Sequence, residues 1–210
     1  KTVISTWDGL ELVNVQMYSK QSITETASKI KLLAAAERIP YSHIIIDEDG
    51  IGGGVVDSLF GVRGFVANSA AIPTGSEIRA KLSQIKNDFT PRVNFRSLKS
   101  QCGFKLAELI NEHKIAFKVD SMRNDIIEEL SALLKRKDID SEGKLQIIPK
   151  DEVKMALGKS PDVGDSIIFR MWFELTKDAL PAVAGREHII TRQAQVMSSN
   201  HGSFESNSTK

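Results

Sequence analysis

The chain opens on two stretches rich in β-branched and aromatic residues, Thr2–Trp7 and Leu10–Tyr18, separated by Asp8-Gly9. An Asp-Gly pair between two such runs is a strong hairpin signal, so two antiparallel strands are predicted. From Ser22 the apolar positions change period to Ile23, Ala27, Ile30, Leu33 and Ala34, which form one stripe of a helix. Ser22 with Glu25 three residues on makes a capping box, and Ile39-Pro40 marks the expected end. His43-Ile44-Ile45-Ile46 is then a short continuous apolar run, the signature of a strand buried on both faces. It ends in Asp47-Glu48-Asp49 and a glycine cluster, followed by an expected helix over Gly53–Phe60 and a strand over Val62–Ala67.

The middle of the chain is less regular. Pro73, Gly75 and Pro91 punctuate a polar stretch in which some helix is expected over Ser76–Lys86. Ser97–His113 and Ser121–Lys137 read as amphipathic helices, and Leu145–Ile148 as a short strand. Ser160-Pro161-Asp162 opens a final helix to about Thr176, with Ser160 expected at the N-cap and Pro161 at the first helical position. The order strand, strand, helix, strand, helix, strand predicts an α/β sheet in which a hairpin precedes parallel crossovers. Ser198–Lys210 is too polar to bury itself, so a flexible tail is expected there.

Composition narrows the class. With 210 residues, 41% apolar and 26% charged, the chain suits one full-sized soluble domain and excludes collagen-like or wholly disordered readings. No apolar run approaches the roughly 18 residues of a membrane helix, and no basic-then-apolar leader is present. The start at Lys1-Thr2-Val3-Ile4, already in strand-like sequence, suggests a piece of something larger. A single cysteine, Cys102, argues against a disulfide framework and against thiol chemistry. Net charge is only +1, so nucleic-acid binding would need uneven placement of charge. That unevenness exists: Arg79, Lys81, Lys86, Arg92, Arg96, Lys99 and Lys105 fall in one stretch against only Glu77 and Asp88. Such a patch suits a phosphate backbone, although a solvated helix face would look the same. Phe89, Phe95 and Phe104 are too sparse to favour base stacking, so duplex phosphates are the better match.

Two constellations carry candidate chemistry. Asp47, Glu48 and Asp49 stand at the C-terminal end of a buried strand, the rim where open α/β sheets place their sites. A dinucleotide loop is excluded because the last glycine of G-x-G-x-x-G is replaced by Val55 and three acids occupy the pyrophosphate's place. Ser160-Pro161-Asp162-Val163-Gly164-Asp165 puts two carboxylates on one face of a first helical turn. The helix dipole alone favours acids there. Combined with Asp47, however, they form an all-oxygen set suited to hard divalent cations. Gly158-Lys159-Ser160 imitates the end of a Walker A loop, but Val153 stands where its first glycine belongs. His43, His113, His188 and His201 share no ligand spacing and are read as surface or packing residues.

The run Ile45-Ile46-Asp47-Glu48-Asp49-Gly50-Ile51-Gly52-Gly53-Gly54, with Leu157-Gly158-Lys159-Ser160-Pro161-Asp162-Val163-Gly164-Asp165 far downstream, resembles the nuclease domain of the large terminase subunit of tailed bacteriophages. Lys1-Thr2-Val3-Ile4 and the stretch from Gly143 to Glu152 also fit, and the likeness spans about Lys1 to Leu175. The resemblance implies a ribonuclease H-like mixed sheet flanked by helices, with residues 1–180 as the nuclease domain and 181–210 as a largely flexible extension. It implies a metal-dependent endonuclease cutting duplex concatemeric DNA with two Mg²⁺ or Mn²⁺ ions, in the host cytoplasm during virion assembly. The implied partners are double-stranded DNA, an N-terminal ATPase domain of the same polypeptide, the portal and the small terminase subunit, with no membrane.

Carried over residue by residue, the resemblance makes Asp47 one catalytic and metal-binding acid and Asp162 another, with Asp165 as alternative or helper. Glu48 and Asp49 would support them from behind. Where the family usually has Ala before the last Asp, this chain has Gly164. The family's first catalytic Asp lies on a strand upstream of the hairpin, and this sequence begins after it. Asp8 is no substitute at the hairpin tip, so a protein truly lacking that strand is expected to be a weak or inactive nuclease. Two other readings stay open: a catalytically silent DNA-binding or docking module of the packaging machine, and a resolvase for branched DNA on the same fold.

Overall fold

The computed structural model describes residues 1–49, 52–73, 95–133 and 143–177. Strand β1 (Thr2–Asp8) and strand β2 (Glu11–Tyr18) form the expected antiparallel hairpin. Its loop is Gly9-Leu10 rather than Asp8-Gly9, because Asp8 still pairs with Glu11. The register then slips between Thr6 and Trp7, leaving Val13 as an extra residue in β2. Helix α1 (Ile23–Ala36) begins as anticipated: Ser22 Oγ accepts the Glu25 N–H, and the Glu25 carboxylate accepts the Ser22 N–H. A short 3-10 turn at Tyr41–His43 then leads into strand β3 (Ile45–Asp47).

Helix α2 (Gly52–Ser58) and strand β4 (Arg63–Phe65) follow, and β4 lies parallel to β3. Helix α3 (Leu98–Asn111) takes its N-cap from Ser97, whose Oγ accepts the Ser100 N–H. Strand β5 (Ala116–Phe117) pairs parallel with β2. Helices α4 (Arg123–Leu133), α5 (Lys150–Leu157) and α6 (162–177) follow. Leu145 makes a single parallel bridge to Phe95 where a strand is expected over Leu145–Ile148. The expected helix at Ser76–Lys86 and the tail at Ser198–Lys210 lie outside the described residues.

Among the described residues the strands form two sheets, ordered β1-β2-β5 and β3-β4. Side chains of both sheets alternate between the same two apolar clusters. Ile4, Ile44 and Ile46 pack on a small cluster of Ala27, Ile30, Val55 and Leu59 from α1, α2 and the turn after it. Val3, Trp7 and Ile45 point the other way, into a larger cluster built by α3 to α6. Two-faced burial explains why β3 reads as unbroken isoleucine rather than alternation. In the larger cluster Val163, Ile167, Ile168 and Met171 of α6 are at most 2% exposed. Each such side chain contributes about 1.5–3 kcal/mol on burial, which makes α6 the anchor of the core. Phe169 of α6 also stacks on Phe65 of β4 with ring centroids 4.2 Å apart.

By contact clustering, Lys1–Ile72 and Thr90–Leu175 form one compact unit. The elements described above belong to it, apart from the last two residues of α6.

Candidate active site

Asp47 is the last residue of β3, at the C-terminal rim of the sheet. Its carboxyl is half-buried, and that burial pushes its pKa above the ordinary carboxylate value. The Asp49 N–H, donating to Asp47 Oδ1 at 3.2 Å, opposes the shift, as does the Lys150 ammonium. The charges of Asp49 and Asp165 reinforce it. The glycine run after β3 has a steric reason: a Cβ on Gly52 would lie 1.5 Å from the Asp47 carbonyl oxygen. Only glycine lets α2 start so close to the strand end.

Asp165 is supplied by α6 and is 6% exposed. Its N–H donates to the Pro161 carbonyl at 2.8 Å, so Pro161 holds the cap position and Asp162 is the first helical residue. The helix therefore starts one residue later than the expected Ser160 cap. Lys99 Nζ lies 2.6 Å from Asp165 Oδ1, and Lys150 Nζ lies 3.6 Å from Oδ2. Oδ1 accepts no directed hydrogen bond, so Lys99 compensates it by charge alone. The two lysines come from the first turns of α3 and α5, so three helix starts converge on one carboxylate. A cation is poorly placed at a helix N-terminus, and the buried acid offsets that.

The structure thus joins Asp47 and Asp165 electrostatically, with Lys150 acting on both. Asp162 has another neighbour: its charge acts on Glu129. Asp49 ties two loops together, its Oδ2 accepting the Ala67 N–H at 3.0 Å, while the Glu48 N–H donates to the Phe65 carbonyl. Of the seven basic residues read as a phosphate patch, Arg79, Lys81, Lys86 and Arg92 lie outside the described residues. Lys99 is turned to Asp165, Lys105 pairs with Glu108 at 2.7 Å, and Arg96 donates its backbone N–H to Leu145.

Lys159 of the false Walker tripeptide is clamped by Asp125, Glu128 and Glu129 at 2.8, 3.1 and 3.7 Å, and Gly158 ends α5. His43 stacks on Phe173, a packing role. Cys102 is buried, and that burial pushes its thiol up to about 12, so it is inert.

Lys150 and Glu129 are the site residues that sequence reading missed. Neither has a local signature, since each acquires meaning only from a carboxylate or an amide brought to it by folding. Among the described residues no group of three or more His, Cys, Asp or Glu is arranged to hold a metal ion. Asp47 and Asp165 nonetheless offer hard oxygen donors, and Mg²⁺ is commonly held by one or two carboxylates with water and substrate phosphate completing the shell.

No family model and no curated protein matches the sequence. Solved structures do. A mutant nuclease domain of the large terminase subunit gp2 of bacterial virus Sf6, with manganese, is similar at a TM-score of 0.61 and 17% identity, over 80% of this chain and 82% of that one. A mutant of the same bacteriophage domain with calcium gives 0.60 and 17%, covering 80% of each chain. The nuclease domain of gp2 of bacterial virus Sf6 gives 0.60 and 18%, again over 80% of each chain. The fold of this chain is therefore that of a phage large-terminase nuclease domain, the ribonuclease H-like α/β architecture that the two acidic motifs resemble.

Proposed function

We propose that this chain is the metal-dependent endonuclease domain of a viral DNA-packaging terminase, hydrolysing phosphodiester bonds of duplex concatemeric DNA. The observation that supports the reading is the electrostatic coupling of Asp47 at the end of β3 with Asp165 of α6, with Lys150 acting on both, on a fold shared with terminase nuclease domains. The related domains with manganese and calcium support a divalent cation. Asp47 and Asp165 would hold it, with Asp162 one turn earlier on α6 as the further donor. Two bound Mg²⁺ or Mn²⁺ ions would supply an activated water and charge stabilisation of the leaving 3′ oxygen.

The chain's own residues do the rest. Burial of Asp165 keeps competing water from its oxygens, Lys99 offsets its charge, and Lys150 offsets the mutual repulsion of Asp47 and Asp165. A phosphate bound at the acids would compete with the carboxylates for the two lysines. Arg79, Lys81, Lys86, Arg92, Arg96 and Lys105 would grip the duplex outside the site. The ATPase domain, portal and small subunit would be its partners, and the host cytoplasm its place of work.

Plasmid nicking tests the proposal. Wild-type protein should cut supercoiled DNA in Mn²⁺ or Mg²⁺ and stop in EDTA, and Asp47→Asn and Asp165→Asn should abolish cutting while keeping the fold. Undiminished cutting by both variants would refute it. A second reading, a silent DNA-gripping module, is favoured by one observation: Lys99 and Lys150 already neutralise Asp165. That module would show salt-sensitive DNA binding with no metal-dependent cleavage.

A further inference from the structure

Helix α6 starts at a residue that cannot cap it. Pro161 stands at the cap position and has no side-chain oxygen, so the N–H groups of the first turn have no partner within the helix. The partner comes from another element. Glu129, on α4 and 3% exposed, accepts the Gly164 N–H through Oε2 at 2.8 Å. Its other oxygen, Oε1, lies 3.7 Å from Lys159 Nζ, itself held by Asp125 and Glu128. The approach is close enough that a side chain at position 164 would displace its neighbours: a Cβ there would meet Leu133 Cδ1 at 2.6 Å and Glu129 Cβ at 3.3 Å. The amide that Glu129 grips lies between Asp162 and Asp165 in the chain.

We infer that Glu129 is a positioning residue for the acid site, capping α6 from across the core and so fixing where Asp162 and Asp165 present their carboxylates. The inference rests on the nuclease reading of those acids. A carboxylate suits the task better than the isosteric amide, because one oxygen accepts the Gly164 N–H while the other faces the Lys159 ammonium, and a Gln would turn its NH2 donor toward one of them. Lys159 fixes the second oxygen, so the Gly158-Lys159-Ser160 tripeptide acts on α6 through Glu129 and not on a nucleotide.

Amide hydrogen exchange on the wild-type chain is the first test. Gly164 should exchange as slowly as the interior of α6, and rapid exchange, ordinary for an uncapped first turn, would overturn the cap. The second is Glu129→Gln, assayed by Mn²⁺-dependent plasmid cutting. A positioning role predicts kcat down about tenfold with KM for DNA unchanged, whereas a merely structural role leaves the kcat of the folded protein intact. Unchanged kcat overturns the inference while leaving the nuclease reading standing. If Glu129→Gln does not fold, Lys159→Met takes its place: a fall in kcat of about twofold or more at constant KM supports the inference, and none overturns it. A wild-type chain that neither cuts nor takes up Mn²⁺ overturns the nuclease reading and the positioning role with it. The cap itself is still judged by exchange at Gly164.

Discussion

Lys99 and Asp165 form a buried ion pair, 2.6 Å between Nζ and Oδ1, with side chains 13% and 8% exposed. Removing one member of such a pair strands the other charge in the core. Lys99→Met should therefore cost about 3 kcal/mol, the lower end for a buried pair because Lys150 still faces the other oxygen of Asp165. Lys105→Met severs the solvent-facing pair with Glu108 and should cost about 0–1 kcal/mol. Urea unfolding of the two variants side by side measures the difference, and equal losses would deny the burial.

Asp47 carries a stability cost that depends on pH. Burial raises its folded-state pKa above the ordinary carboxylate value. Below that ordinary value the group is protonated in both folded and unfolded chains, and its full contribution to stability is present. As pH climbs through the window up to the raised value, the unfolded chain releases the proton more readily, so stability falls and stays lower above it. Asp47→Asn removes this dependence. The variant should match wild type in acid and exceed it near neutrality, while losing cleavage. Urea midpoints across pH would show parallel curves if the carboxyl were not perturbed.

Gly164 is required by the closeness of α4 and α6. Gly164→Ala gains up to about 1 kcal/mol of helix propensity but forces a methyl against Leu133, which is fully buried and has little room to yield. Overpacking of this kind costs about 1–3 kcal/mol, so net destabilisation is expected. Thermal denaturation should show a lower midpoint, and a Leu133→Val background should shrink the deficit. A higher midpoint for the single variant would mean that the helices part freely.

What could be read along the chain is what is decided locally. Ser22 and Glu25 belong to one turn, and their capping box forms as the spacing predicts. Ile44, Ile45 and Ile46 signal a two-faced strand, and two apolar clusters do receive them. The misses are interactions between distant stretches. Glu129 reaches Gly164 across 35 residues, and no periodicity of α4 marks one of its acids as a cap for another helix. Lys99 looked like a phosphate ligand because a basic patch is counted without knowing which acids fold against it. The one-residue slips at Gly9-Leu10 and Pro161 arise where pairing or a carbonyl bond, rather than residue preference, sets the boundary.

If Arg79, Lys81, Lys86 and Arg92 grip duplex phosphates, replacing any one by Gln should weaken binding to all sequences alike. Each lost contact should reduce the slope of log affinity against log salt by about 1. Titration of fluorescent duplex at several salt concentrations reads this directly. An unchanged slope for all four would assign the patch to a solvated face.

The most direct measurement is crystallographic: anomalous scattering from a crystal of the protein soaked in Mn²⁺. The predicted result is a peak bonded to carboxylate oxygens of both Asp47 and Asp165, with the Lys99 and Lys150 ammonium groups displaced from Asp165. A metal bound elsewhere, or Lys99 still locked on Asp165 with no peak beside it, would contradict the proposal that these two acids form a hydrolytic metal centre.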